Sequence, residues 1–182
     1  MIKNDELQKI EIEGFISFPV WRGFQNRAGF YASKVVGEDV ECSYSYGIGG
    51  DSIIDFEGPE MYHQNAFDYL IENQEEIKEV LLNALLEEYP DIQSLYGYEG
   101  EDKEKWSPDV TDVEEFKKLI GVKRLHFMHV EKDNYAYVGF EFGCEWDDEH
   151  GLGIMMHKNR VIKVGGADSA FMNWIAESDL DD

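Results

Sequence analysis

Apolar positions in the middle of the chain recur with helical spacing. Between residues 61 and 89, Ala66, Leu70, Ile77, Leu81 and Leu85 fall four or seven residues apart, with Asn73 or Gln74 filling the gap. Glu72, Glu75, Glu76, Glu79 and Glu87 lie largely off that stripe. One apolar face and one acidic face predict an amphipathic helix over 61–89 packed on a sheet. Pro90 comes next, so the helix is expected to stop near Tyr89. A shorter helix is expected over 112–120, where Val113, Phe116, Leu119 and Ile120 supply the apolar side. Thr111 and Glu114 stand at capping-box spacing, and Gly121 can end the helix.

Outside this region the period drops to two. In the first third, Val40, Cys42, Tyr44 and Tyr46 alternate with Glu41, Ser43 and Ser45, the pattern of a half-buried strand. It ends at the glycines 47, 49 and 50. Residues 10–18 alternate less cleanly, and Gly14 suggests a turn or bulge. GFYASKVV reads as a further strand. In the last third, two hairpins are expected, one turning at Lys132–Asn134 and one at Lys158–Asn159. Asp168 is placed to cap a short helix over 168–176 that carries Phe171, Trp174 and Ile175, and the tail SDLDD reads as frayed.

The order is strands over 8–50, two helices, a strand meander over 122–166, and a short terminal helix. It predicts a single α+β domain over 1–182, with an antiparallel sheet of about six to eight strands. One long and one shorter helix pack against that sheet. With 43% hydrophobic and 14% aromatic residues, the chain has ample material for a core. A chain of 182 residues buries roughly 70% of its unfolded surface and needs no disulfides. Cys42 and Cys144 therefore read as buried free thiols.

Charge changes the picture. Thirty-nine acids against sixteen bases give a net −23. Residues 51–110 carry seventeen of the acids and three of the bases. Such a surface repels phosphate backbones and anionic lipid, which argues against nucleic-acid and membrane partners. It attracts a protein partner with a basic surface. No stretch is apolar and long enough for a membrane span, and the acidic N-terminus is no signal peptide, so the cytoplasm is the expected location.

Candidate chemistry is sparse. The turn CEWDDEH supplies Asp148 and His150, materials for acid–base work or for part of a metal site. His126 and His129 are three apart in a strand and point to opposite faces, so they would not chelate one ion together. No metal spacing, phosphate loop or nucleophile motif is present, and no cofactor is expected. A serine triad is assembled in space and is not legible in one sequence. The irregular segment 91–110 offers Tyr96, Tyr98 and Trp106 beside Glu99, Glu101 and Asp102. These rings either anchor an interface or fold back over the core.

The segment from Phe140 to Trp174 joins an acidic turn to Glu149, His150, Gly151, Leu152 and Gly153. It continues through a hairpin to Gly165, Gly166 and Asp168. It resembles an uncharacterised bacterial domain family of small proteins encoded near polymorphic toxin systems. The match spans about a fifth of the chain and transfers no catalytic residues. Acidic α+β domains of this type are similar to immunity proteins, which cover the basic active site of a toxin. The resemblance therefore implies a non-catalytic protein-binding role. The alternatives are a metal-dependent or acid–base hydrolase using Asp148 and His150, or a structural or regulatory domain without a pocket.

Overall fold

The computed structural model describes residues 13–25, 41–46 and 59–181. Within them, six strands form one sheet in the order β1-β2-β3-β4-β5-β6. They are β1 (Glu13–Ser17), β2 (Glu41–Tyr46), β3 (Ile120–Lys132), β4 (Tyr135–Cys144), β5 (Leu152–His157) and β6 (Arg160–Gly166). Four helices accompany them: α1 (Met61–Glu72), α2 (Gln74–Tyr96), α3 (Gly100–Trp106) and α4 (Asn173–Leu180). The α+β class stands. The sheet is mixed, because β2 and β3 run parallel while every other described pair is antiparallel. A parallel pair needs a long crossover, and the helical segment 61–106 lies within it.

The period-two positions sort as expected. Cys42, Tyr44, Tyr46, Leu125, Phe127, Val138, Phe140 and Phe142 enter the main core with Leu70, Ile77, Leu81, Leu85 and Tyr89 from α1 and α2. Cys42 and Cys144 are free and buried. The β3–β4 turn has Asp133 and Asn134 at φ 54° and 67°, the left-handed geometry that suits a two-residue hairpin. Gly14 makes neither turn nor bulge and pairs in register with Tyr44. The expected strand GFYASKVV and the glycines 47, 49 and 50 lie outside the described residues.

The helices depart from expectation at three points. The single helix over 61–89 is broken at Asn73, whose side-chain amide donates to the Tyr69 carbonyl at 2.8 Å and so competes with the backbone ladder. Pro90 does not stop α2, which runs on to Tyr96. The ring is exposed, so it meets solvent and not packed neighbours. One missing hydrogen bond is outweighed by the buried Tyr89 and by Gln93, whose amide donates to the Ser107 carbonyl at 2.7 Å. Gly97, at φ 63°, ends the helix instead. The segment expected as a helix over 112–120 is a 3-10 turn, Val113–Lys118. Its cap is Asp112 with Glu115, one residue on from the Thr111 and Glu114 pair.

The second sheet face is covered by a 3-10 turn, Ala167–Ala170, and by α4, which packs Ile175 and Ala176 on Met128, Tyr137 and Met155. The expected helix over 168–176 is thus split in two. The tail is not frayed through Leu180. Asp179 accepts from Tyr137 Oη at 2.7 Å and from Arg160 Nη1 and Nη2 at 2.7 and 2.5 Å, and Lys132 Nζ donates to its carbonyl at 2.7 Å. The hydrogen bonds from Arg160 hold its carboxyl well below the usual range.

The Ala167–Ala170 turn lies directly on the sheet. A Cβ on Gly139 would overlap the Ala170 carbonyl, and one on Gly153 would meet the carbonyls of Gly166 and Ala167. Gly139→Ala should therefore destabilise the fold by about 3 kcal/mol. Urea unfolding checks this, and a variant as stable as the parent would refute the close-packing account.

Candidate functional site

The end of α2, the start of α3 and the turn after β4 meet at one corner. Tyr96 closes α2 and Tyr98 follows Gly97, so the two rings stack at 6.4 Å and 7°. Tyr96 donates to Asp147 Oδ2 at 2.6 Å, and Tyr98 donates to the Trp146 carbonyl at 3.1 Å. His150 places its backbone amide and its Nδ1 on Asp147 Oδ1, at 2.9 and 3.1 Å. Burial works to raise the Asp147 carboxyl, but the hydrogen bonds from Tyr96 and His150 outweigh it and the net shift is downward. Burial, then the Asp147 contact, raises the Tyr96 phenol.

The expected residues take different places in this geometry. Tyr96 and Tyr98 are half-buried against the core and act as struts between α2 and the acidic turn. Trp106, also half-buried, has Lys105 Nζ over its ring at 4.2 Å. Glu99, Glu101 and Asp102 are exposed at the entry to α3. Asp148 and His150 are not brought together as a pair. The partner of His150 is Asp147, the His150 side chain is 77% exposed, and Asp148 is exposed as well. Among the described residues, no three or more His, Cys, Asp or Glu side chains are grouped to hold a metal ion.

The solvent side of the same helices is acidic. Glu87, Glu88 and Asp91 are exposed on α2, and Glu104 is exposed on α3. Leu95, one turn beyond Asp91, is 81% exposed. Sequence reasoning missed Leu95 because Pro90 seemed to end the helix that presents it. Replacing Tyr96 by Phe should cost about 1.5–3 kcal/mol, since it removes a donor from a largely buried carboxylate. Thermal and urea unfolding of the variant report this. An unchanged midpoint would mean that the strut bears no load.

A second polar group sits on the sheet face that carries α4. His126 and His129 do point to opposite faces. His129 stacks edge-on against His63 of α1 at 5.3 Å, and His126 Nε2 lies 2.9 Å from Glu141 Oε2. Lys123 Nζ donates to Glu141 Oε1 at 2.7 Å. Burial pushes the Glu141 carboxyl up, but the bonds from His126 and Lys123 prevail and hold it at about 2. The signal for this group was present in the sequence, as a charged residue within an otherwise buried strand. Because the folded carboxyl lies below its ordinary 4.5, the unfolded chain takes up the proton more readily. Glu141 should contribute roughly 2–3 kcal/mol above pH 4.5, lost as pH falls toward 2. Acid titration of stability for the parent and Glu141→Gln tests this, and identical profiles would refute it.

The chain belongs to the family described as a domain of unknown function (DUF6985), whose model matches residues 12–172. No curated protein and no solved structure matches it.

Proposed function

We propose that this member of the DUF6985 family is a non-catalytic protein-binding module, and that α2 and α3 dock a basic protein surface. The observation that carries the reading is Leu95, 81% exposed on a helix face it shares with Glu88 and Asp91. An exposed leucine ringed by carboxylates suits a partner that offers an apolar socket edged by lysines and arginines. The bases of this region are already engaged. Lys78 pairs with Glu75 at 2.8 Å, Lys103 pairs with Asp109 at 2.7 Å, and Lys105 covers Trp106. These three are the only bases in residues 51–110, so the seventeen acids there are far from neutralised within that segment.

The specific form we favour is an immunity protein that blocks a basic toxin. Two buried free thiols suit a reducing cytoplasm. No described helix is long and apolar enough to cross a membrane. The alternative acid–base reading on Asp148 and His150 gains no support, because His150 stands in solvent on Asp147.

Affinity capture from native lysate at low salt tests the proposal. The parent should retain a stoichiometric basic protein that about 0.5 M salt releases. Leu95→Asp, or the combined change of Glu87, Glu88 and Asp91 to Gln, should weaken retention at least about tenfold. No basic partner, or one held equally by these variants, would overturn it.

A further inference from the structure

Helix α1 buries only three side chains, His63, Ala66 and Leu70. Spacings of three and four put them on one face, and the first is a histidine with no exposure. Rings from three elements surround it. Between centroids, Tyr62 of α1 lies at 4.1 Å, Tyr46 of β2 at 5.3 Å and His129 of β3 at 5.3 Å. His63 also stands at the third helical position, where its Nδ1 accepts the backbone N–H of Glu60, the N-cap residue, at 2.9 Å. Only an unprotonated ring nitrogen accepts, so this bond requires the neutral imidazole with its proton on Nε2. A proton on Nδ1 would set N–H against N–H and open the capping box, in which the Glu60 side chain accepts the His63 amide. It would also bury a charge.

The titratable groups that face the ring do not offset that charge. Burial, then His129, pushes the His63 imidazole down to about 4, and the Met128 backbone works the other way. Burial raises the Tyr62 and Tyr46 phenols, with Glu60 and Glu131 acting further on the first and Tyr44 and Asp68 on the second. The Glu60 carboxylate is exposed and is spent on the His63 amide and, at 3.4 Å, on the Tyr62 hydroxyl. Helix α1 is also mechanically separate. Asn73 breaks it from α2, which keeps its own seat through Ile77, Leu81, Leu82, Leu85 and Tyr89. His63 lies at the far end of α1 from that break.

We propose that His63 is an acid-operated latch: its protonation releases α1 from the sheet, pivoting at Asn73, while α2 and the sheet stay in place. Release uncovers Tyr44, Tyr46 and Phe127, which now pack against His63 and Phe67. The latch is separate from the acidic face of α2 and α3 and does not rest on the binding role. Because the folded imidazole lies below its ordinary 6.5, the released state takes up the proton more readily. Opening is therefore favoured as pH falls from 6.5 toward 4.

Hydrogen exchange of the intact protein, read by mass spectrometry and corrected for the intrinsic pH dependence of exchange, tests this. Protection over residues 65–70 should fall on the order of 10²-fold between about pH 7 and pH 4.5, while residues 77–89 keep theirs. His63→Gln supplies the usual amide acceptor of a capping box without a titrating group, so it should keep α1 protected at the lower pH. Nitrogen NMR of the parent, which needs no variant to fold, should show the Nε2–H tautomer at His63 and a titration well below 6.5. Protection that does not change with pH, a loss shared equally by His63→Gln or by residues 77–89, or an Nδ1–H tautomer would each overturn the proposal.

Discussion

The contact of the Ala167–Ala170 turn with the sheet is the constraint on which the rest depends. Gly139 and Gly153 have no side chain, so the turn's backbone lies against β4 and β5. Both faces of the sheet centre are therefore covered, one by α1 and α2 and the other by this turn and α4. Every residue of β5 is buried as a result. The turn also sets the direction of the chain beyond it. Phe171 is brought to His126, and α4 is aimed so that Asp179 reaches Tyr137, Lys132 and Arg160 across three strands. A terminal helix of eight residues has little stability of its own. Its polar clasp and its seat on Met128 and Met155 hold it.

Charge is handled differently inside and outside. The carboxylates near the core, Glu141, Asp147 and Asp179, each accept several donors, and each is held below its ordinary pKa. They act as joints between strands or between a helix and a turn. Most carboxylates of α2 and α3 point to solvent, although Glu76 accepts from Asn159 Nδ2 in the β5–β6 turn at 2.6 Å. Repulsion along those helices is tolerated because the apolar stripe beneath is fully buried at Ile77, Leu81 and Leu85. Acidity in this protein is thus two populations, a structural one that is paired and a surface one that dominates the net charge.

Much of the fold was legible because burial imposes its period on the sequence. Strands β2, β3 and β4 and both C-terminal hairpins follow from alternation and turn residues, and the opposed faces of His126 and His129 follow from the same parity. The parallel pairing of β2 with β3 was not legible, since nothing local distinguishes the direction of a half-buried strand. Pro90 misled because a single missing hydrogen bond is a local signal, whereas Tyr89 and Gln93 secure the helix through residues further along the chain. Asp179 looked like part of a frayed tail because its partners Tyr137 and Arg160 are forty-two and nineteen positions away. Side chains that form sites here come from separate elements, and spacing along the chain carries no trace of them.

The two sheet faces are not independent of one another. Tyr96 holds the end of α2 to Asp147, and Asp147 lies in the turn that leads from β4 into β5. Those are the strands on which the Ala167–Ala170 turn rests, and β4 also carries Glu141. The acidic helical face is therefore tied to the turn after β4 by one short hydrogen bond, in addition to the buried stripe of α2. Strand β4 itself carries the carboxylate that lies 2.9 Å from His126 Nε2. Helix α2 is seated by its buried stripe of Ile77, Leu81, Leu82, Leu85 and Tyr89, and the Tyr96 and Tyr98 contacts fix its C-terminal end to the turn after β4. The acidic helical face and the buried polar group behind the sheet are thus both joined to β4 or to the turn that follows it.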